Sequence, residues 1–542
     1  MRLLSRVLYG LLALAALVVG VAYFAVRGSL PPLDGERAAA GLGADAVIER
    51  DAFGAVTITG QSRDDVAYAT GFAHAQDRFF QMDLARRMSS GRLAEVFGDA
   101  ALDTDARNRV HRFTSIAGEV LRQLPPEQGS LLAAYAAGVN AGLASLRVRP
   151  FEYLLLRQRP EMWRAEDSLL VVFSMYLQLN DAEASADRQR GLLQRSLPPE
   201  VFRYVYSVAP AWEAPIDGVV MDAAPMPLPE VFDLRRYEAE FRRVAATAAS
   251  RPTAAENRAV GSNNWAVAGT HTRSGAGLLA NDMHLGLGVP NTWYRVRLLV
   301  AGESAETRRD LMGLTLAGAP IMVVGSNRRI AWGFTNSYGD WSDLVRVERT
   351  PDGRRYRAAA GWKPVERVTE TVHSRSGATR DVVVDLTEWG PLLPGKKDGE
   401  AAFALAWTAH RPEATNLQWL ALETVGDCAA ALPVANTIGG PVQNFACADA
   451  DGNVAWTLLG RMPLRGAGYD AGVPSDWTGP DAGWPGWREP AAYPRVLNPA
   501  TGRIWTANNR VVGAELLAAI GDGSPDRGAR AQQIRDALFA IG

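Results

Sequence analysis

An α+β fold is predicted, with a helical first half and a β-rich second half, and three observations carry that prediction. Apolar residues recur at helical spacing from Val66 to about Leu193, as in LLAAYAAGVNAGL and SLLVVFSMYLQL. From Gly261 onward, short runs of branched and aromatic residues alternate with glycine and proline, and turn signals return about every ten residues. Strands and helices do not alternate, so a large mixed or antiparallel sheet is expected rather than a doubly wound parallel one. The 542 residues are 47% hydrophobic and contain two cysteines, which supplies a sizeable core and excludes disorder, collagen and a disulfide scaffold. With 57 basic against 59 acidic residues and a net charge of -2, no basic surface is available for a phosphate backbone, so no nucleic-acid partner is expected.

The elements follow in chain order. Arg2 and Arg6 precede nineteen uncharged, mostly apolar residues from Leu8 to Val26, closed by Arg27. This length reaches the roughly 20 residues that span a bilayer. No clean small-x-small cleavage site precedes Arg27, which favours an uncleaved inner-membrane anchor over a secretory signal. Either reading exports the body, and positive charge on the short N-terminal side leaves the rest in the periplasm of a bacterium. Ala46 to Gly60 alternates around a turn and reads as a hairpin, and Phe80, Leu84, Met88, Leu93 and Phe97 carry helical spacing onward. Residues 226 to 260 are rich in alanine and charge, with few large apolar side chains, and nothing in them demands burial. Strands are expected at NNWAVAGT, GLLANDMHLGL, TWYRVRLLV, IMVVGSNRRIAWGF, RDVVVDLTEWG and NFACADADGNVAWTLLG. Cys428 and Cys447 could pair in an oxidising compartment or remain two buried thiols.

Several chemistries are excluded by missing motifs. Neither G-x-S-x-G nor H-E-x-x-H occurs. GPLLPGKK lacks the Ser or Thr of a phosphate loop, and GLGADA and GLGVPN lack the third glycine of a dinucleotide fingerprint. The informative place is the junction of Gly261 and Ser262, where a polar segment runs directly into strand texture. If that bond were cut, Ser262 would carry a hydroxyl and a free α-amine, whose reference pKa of about 7.7–8.0 makes it a usable base near neutral pH. One residue would then supply nucleophile and base without a Ser/His/Asp triad.

The chain resembles the penicillin acylase family of N-terminal nucleophile hydrolases, which includes penicillin, cephalosporin and acyl-homoserine lactone acylases. The motifs run in order: SLPPLDG, GFAHAQDRFFQMDLARRMSSGRLAEVFG, GSNNWAVAGT, LLANDMHLGL, VVGSNRRIAWGFTNSYGDWSD and QNFACADADGNVAWTLLGRMPLR. The resemblance implies an αββα sandwich made from a self-cleaving precursor. After an anchor or signal at residues 1–27, it places a small subunit at 28–225, a spacer at 226–261 and a large subunit at 262–542. Ser262 becomes the nucleophile, with autocleavage between Gly261 and Ser262. His284 in NDMH orients Ser262 and assists self-cleavage. Asn336 in AWGFTN offers a backbone N–H to the oxyanion, and Asn508 in WTANNR, adjacent to Asn509, offers its amide. Arg530 in GARAQQI supports the Ser262 amine and Asn508. The family also implies a structural calcium held by Asp340 and Asp343 in GDWSD, the Pro463 carbonyl and a small-subunit carboxylate, for which Glu183 is the candidate.

The expected activity is therefore hydrolysis of small N-acyl compounds, such as β-lactam side chains or acyl-homoserine lactones, by two chains that remain together after cleavage. The sequence departs from the family at its end. The chain stops at Gly542, soon after Arg530, where family members continue with further strands and, in cephalosporin-type enzymes, the acidic partner of the histidine matched by His284. A truncated, unprocessed and catalytically silent membrane-anchored binding protein is the alternative expectation.

Overall fold

The computed structural model describes residues 2–207, 212–238, 260–286, 288–393 and 402–541, so most of the expected spacer, residues 239–259, lies outside the described residues. Helix α1 (Arg2–Gly28) is apolar and exposed, and it is the one helix among the described residues long and apolar enough to cross a membrane. The expected hairpin forms from β1 (Val47–Arg50) and β2 (Val56–Gly60), paired antiparallel. Helix α2 (Arg63–Ser90) opens on a reciprocal cap: Ser62 Oγ accepts the Asp65 N–H at 3.0 Å, and the Asp65 carboxylate accepts the Ser62 N–H at 3.1 Å. Helical spacing in the sequence runs to Phe97, but α2 stops at Ser90 because Gly91 takes a left-handed φ of 62°.

Helices α3 (Pro126–Ala144) and α4 (Ala165–Leu179) pack against α2. The α2–α3 crossing is backbone on backbone: a Cβ on Gly138 would stand 1.9 Å from the Tyr68 carbonyl oxygen, and one on Gly71 would stand 2.3 Å from that of Tyr135. Helix α5 (Ser185–Ser196) follows. The second half supplies β3 (Gly261–Val267), β4 (Leu278–His284), β5 (Trp293–Val300), β6 (Arg309–Leu316), β7 (Met322–Ser326) and β8 (Ile330–Asn336). It continues with α6 (Cys428–Thr437), β9 (Gln443–Asp449), β10 (Val454–Leu459), β11 (Arg495–Leu497), β12 (Arg503–Thr506) and α7 (Ala529–Ile541).

A nine-stranded sheet runs β1-β2-β5-β6-β7-β8-β9-β10-β11, and a three-stranded sheet runs β12-β3-β4. All these pairs are antiparallel except β2 and β5, which run parallel with Val56 beside Val296. A hairpin from the helical half is thereby built into the sheet of the second half. Side-chain alternation along β9 fixes the layers. Phe445 and Cys447 belong to the core shared with α2, α3 and α4, whereas Ala446 and Ala448 pack with Ala266, Ile504 and Trp505 of the small sheet. Helix α7 packs on β12 and β3. The order is helix, sheet, sheet, helix. Cys428 on α6 and Cys447 on β9, left open by their spacing, are joined in a disulfide. The strand expected at RDVVVDLTEWG, Thr379–Leu386, pairs with Glu366–His373 outside both main sheets.

Candidate active site

Ser262 is the second residue of β3 and is 5% exposed. Its N–H donates to Asn508 Oδ1 at 2.6 Å, and its carbonyl accepts from Arg530 Nη1 at 2.8 Å. Arg530, on α7, donates a second time to Asn508 Oδ1 at 2.9 Å and pairs with Asp526 at 2.8 Å. The Asn508 amide nitrogen donates to the Asn336 carbonyl at 3.0 Å. Asn508 holds a φ of 65°, a left-handed conformation that asparagine tolerates better than most residues, and it is fully buried. The neighbouring Asn509 turns away and spends its amide on the Ala507 N–H and the Arg510 carbonyl. Asn336 ends β8, and its side-chain amide donates to the carbonyl of Leu179 at the end of α4, at 2.7 Å.

His284 ends β4 directly across from Gly261 in the β3–β4 ladder. A Cβ built on Gly261 would stand 2.8 Å from His284 Nε2, 3.1 Å from Arg530 Nη2 and 3.2 Å from Asn508 Oδ1. The imidazole, the guanidinium and the amide therefore crowd one face of the residue before Ser262, and glycine is what leaves them room. His284 Nδ1 lies 3.1 Å from Asp282 Oδ2. With that carboxylate accepting from Nδ1–H, Nε2 is left with its lone pair toward the junction. The resemblance places the acidic partner of this histidine in the part of the family's chains beyond Gly542, whereas here Asp282 stands beside His284. The available signal was the two-residue period of a strand, which puts 282 and 284 on one face.

Ser262 also borders a cavity of about 70 Å³ whose other walls include Val172, Met175 and Leu179 of α4, Met283, Trp293, Phe334 and Trp419. Apart from Ser262 and Gln443, every lining residue is apolar. None of these walls was singled out from sequence, because an apolar side chain at helical or strand spacing carries no mark of whether it faces a core or a cavity. A second cavity of about 430 Å³, between the 213–221 segment and α7, includes none of these site residues.

Two of the side chains expected as calcium ligands, Asp340 and Asp343, lie together with a third carboxylate, Asp187. Asp187, Asp340 and Asp343 are all buried, with ligand oxygens within 4.8 Å of one another. Glu183, expected among the ligands, is not in this group. Ala184 adopts a left-handed φ of 45° just before α5, so Glu183 lies outside the helix and exposed, while Asp187 is carried inward on its first turn. Asp187 Oδ2 is buried without a hydrogen-bond partner. Arg465 pairs with Asp340 at 3.2 Å and with Asp343 at 3.3 Å, and Trp484 Nε1 donates to Asp343. Burial, reinforced by Asp343, pushes Asp340 up to about 7 against the pull of Arg465. Burial and the two neighbouring carboxylates push Asp187 well above the usual range. Pro463 pairs with Trp487 in a short ladder just before Arg465.

The penicillin amidase family model matches residues 45–541. The penicillin acylase 2 proenzyme of Pseudomonas sp. (strain SE83) is 31% identical over 508 residues, covering 90% of this chain and 61% of the relative. The acyl-homoserine lactone acylase QuiP of Pseudomonas aeruginosa is 29% identical over 517 residues, covering 90% of this chain and 58% of the relative. The chain thus spans about three fifths of the length of these curated relatives. A solved thermostable penicillin G acylase from Alcaligenes faecalis aligns with 49% of this chain and 46% of its own, at 24% identity and a TM-score of 0.43.

Proposed function

The chain belongs to the penicillin amidase family, and from that premise we propose that it is a precursor that cuts its own Gly261–Ser262 bond and then hydrolyses the amide of small N-acyl compounds. The observation that carries this reading is the seat of Ser262: its nitrogen rests on Asn508 Oδ1 beside Arg530, and its residue borders an apolar cavity.

In the precursor, Ser262 Oγ adds to the Gly261 carbonyl carbon while His284 Nε2 takes the hydroxyl proton. The C–N bond breaks as the ester forms, and the same proton goes to the departing amine. Water then hydrolyses the ester, releasing a Gly261 carboxylate and restoring the hydroxyl. The new α-amine stays where the amide nitrogen was, against Asn508 Oδ1, and the nearby Arg530 cation favours its neutral, basic form.

In the acylase cycle the acyl group enters the apolar cavity, and Ser262 Oγ attacks its carbonyl as the α-amine takes the proton. The Asn336 N–H and the Asn508 amide hold the oxyanion; the amide exchanges its contact with the Asn336 carbonyl for the developing charge, and such donors supply a few kcal/mol each. The amine then protonates the leaving group, and water releases the acid. A cavity without a cation favours uncharged acyl groups over carboxylate-bearing ones. Uncharged β-lactam side chains and the acyl chains of acyl-homoserine lactones both meet that requirement.

The partnerless Asp187 oxygen and the excess of carboxylate over guanidinium charge suit a hard cation with oxygen ligands. Asp187, Asp340 and Asp343 would hold a structural calcium, with the Pro463 carbonyl as the expected backbone ligand, tying α5 of the small-subunit region to the large one. We assign α1 to export, with the body in the periplasm, and to anchoring in the inner membrane. The two chains stay together through the shared sheet. Incubating the purified protein with a penicillin, an acyl-homoserine lactone and an N-acyl anilide, and following release of free acid, tests the activity. Hydrolysis by the parent and none by Ser262→Ala is expected; release of acid at equal rates by both would sink the mechanism.

A further inference from the structure

Behind the cavity beside Ser262 lies a buried polar chain that the chemistry above does not use. His74 on α2, Tyr135 on α3 and Thr315 on β6 are each 0% exposed. His74 Nδ1 is 2.8 Å from the Tyr135 hydroxyl, and Nε2 is 3.0 Å from Thr315 Oγ1. Tyr135 also accepts the Gly318 N–H at 2.9 Å, and Thr315 donates to the Tyr294 carbonyl at 3.3 Å.

The proton directions follow from those end points. Thr315 spends its hydroxyl hydrogen on Tyr294, so its oxygen accepts from His74 Nε2–H. His74 Nδ1 is then an acceptor and takes the Tyr135 O–H, which leaves the phenol oxygen to accept from Gly318. Every donor and acceptor is used once with a neutral imidazole, and burial holds His74 neutral, down at about 3.

The chain ends on one particular piece of structure. The β6–β7 register shifts between Leu314, opposite Val324, and Thr315, opposite Met322, which leaves Val323 as the extra residue on β7; an extra residue of this kind re-aims side chains next to sites. Gly318 lies in the β6–β7 turn, whose Pro320 carbonyl also accepts from Arg63 Nη2 at 2.7 Å. Leu316, Ala319, Ile321 and Val323 of this bulged hairpin line the cavity. Three side chains from the region before the cut thus clamp a cavity wall contributed by the region after it.

We propose that His74 and Tyr135 are positioning residues that set the depth of the cavity through the β6–β7 hairpin, and thereby which acyl chain length it takes. This rests on the cavity being the acyl site of the proposed acylase. The conformity of a wall decides length selectivity because each methylene gained or lost from contact changes affinity about fourfold.

The test reads the cavity by binding rather than turnover. Straight-chain carboxylic acids of increasing length are titrated calorimetrically into the processed wild type and into Tyr135→Phe, Thr315→Val and Thr315→Ser, with melting temperature and N-acyl anilide hydrolysis measured on the same samples. Tyr135→Phe and Thr315→Val are expected to move the preferred length by at least one methylene or to flatten the preference about fourfold. Thr315→Ser, which keeps the hydroxyl, should retain the wild-type profile even if it melts lower. An unchanged length profile in both Tyr135→Phe and Thr315→Val overturns the proposal, as does a wild type that binds none of the acids. A wild type that shows a length preference shifted by these variants, but hydrolyses no anilide, would count against the acylase reading and not against the wall.

Discussion

Asn508 accepts the Ser262 N–H at 2.6 Å across 246 residues of sequence, and the same oxygen accepts from Arg530 at 2.9 Å. One buried amide is therefore committed at its oxygen to the nitrogen that cleavage would free, and at its nitrogen to the Asn336 carbonyl. Replacing Asn508 with Ala removes both, and the expected outcome is slower self-cleavage together with a fall of about 10²–10³ in kcat for the processed fraction. Single-turnover rates on an N-acyl anilide check this. A kcat within about threefold of the parent would remove Asn508 from the oxyanion role.

The crowding at Gly261 gives a second prediction. Gly261→Val places a branched Cβ where His284 Nε2 would be 2.8 Å away, so the imidazole and the guanidinium must both move. Conversion to two chains, followed on denaturing gels, should slow at least tenfold, an order-of-magnitude expectation for misplacing reacting groups by about 1 Å, with circular dichroism unchanged.

The helical half was legible in its periodicity, and the junction was legible because texture changes abruptly there. What was not legible depended on backbone detail. A left-handed Ala184 decides that Asp187 rather than Glu183 meets Asp340 and Asp343, and the short spacing in NDAEASAD favours neither. The Cys428–Cys447 bond required knowing that α6 lies against β9. The cavity walls come from segments far apart in the chain, and their apolar residues look like any core.

The grouping of Asp187 with Asp340 and Asp343 sets a third expectation. Calcium at a few hundred times its Kd should stabilise the protein by roughly 3 kcal/mol, read as a higher melting temperature against a chelated sample. Asp187→Asn should abolish the shift and Glu183→Gln should keep it. Calcium dependence lost with Glu183 and kept with Asp187 would restore the original assignment.

Acid sensitivity follows from the pair His111 and His410, which contact at 3.1 Å between the two halves. Burial pushes His111 down to about 4, and burial together with His111 pushes His410 well down. The folded state thus binds fewer protons than the unfolded one between the ordinary value of about 6.5 and about 4. Stability is full above that window and falls as pH drops through it, by about 3 kcal/mol for His111 alone. Melting temperatures from pH 7 to pH 4.5 should fall steeply in the parent, and less steeply in His111→Gln.

The central claim is that Ser262 becomes an N-terminus by the chain's own chemistry. Intact-mass spectrometry of the purified protein, beside Ser262→Ala, measures it directly. The expected spectrum of the parent has two chains, one beginning at Ser262, and that of the variant has one unbroken chain. A parent that remains a single chain, or a variant that is cut at the same bond, would contradict self-cleavage at Ser262, and the unbroken parent would point to a silent binding protein instead.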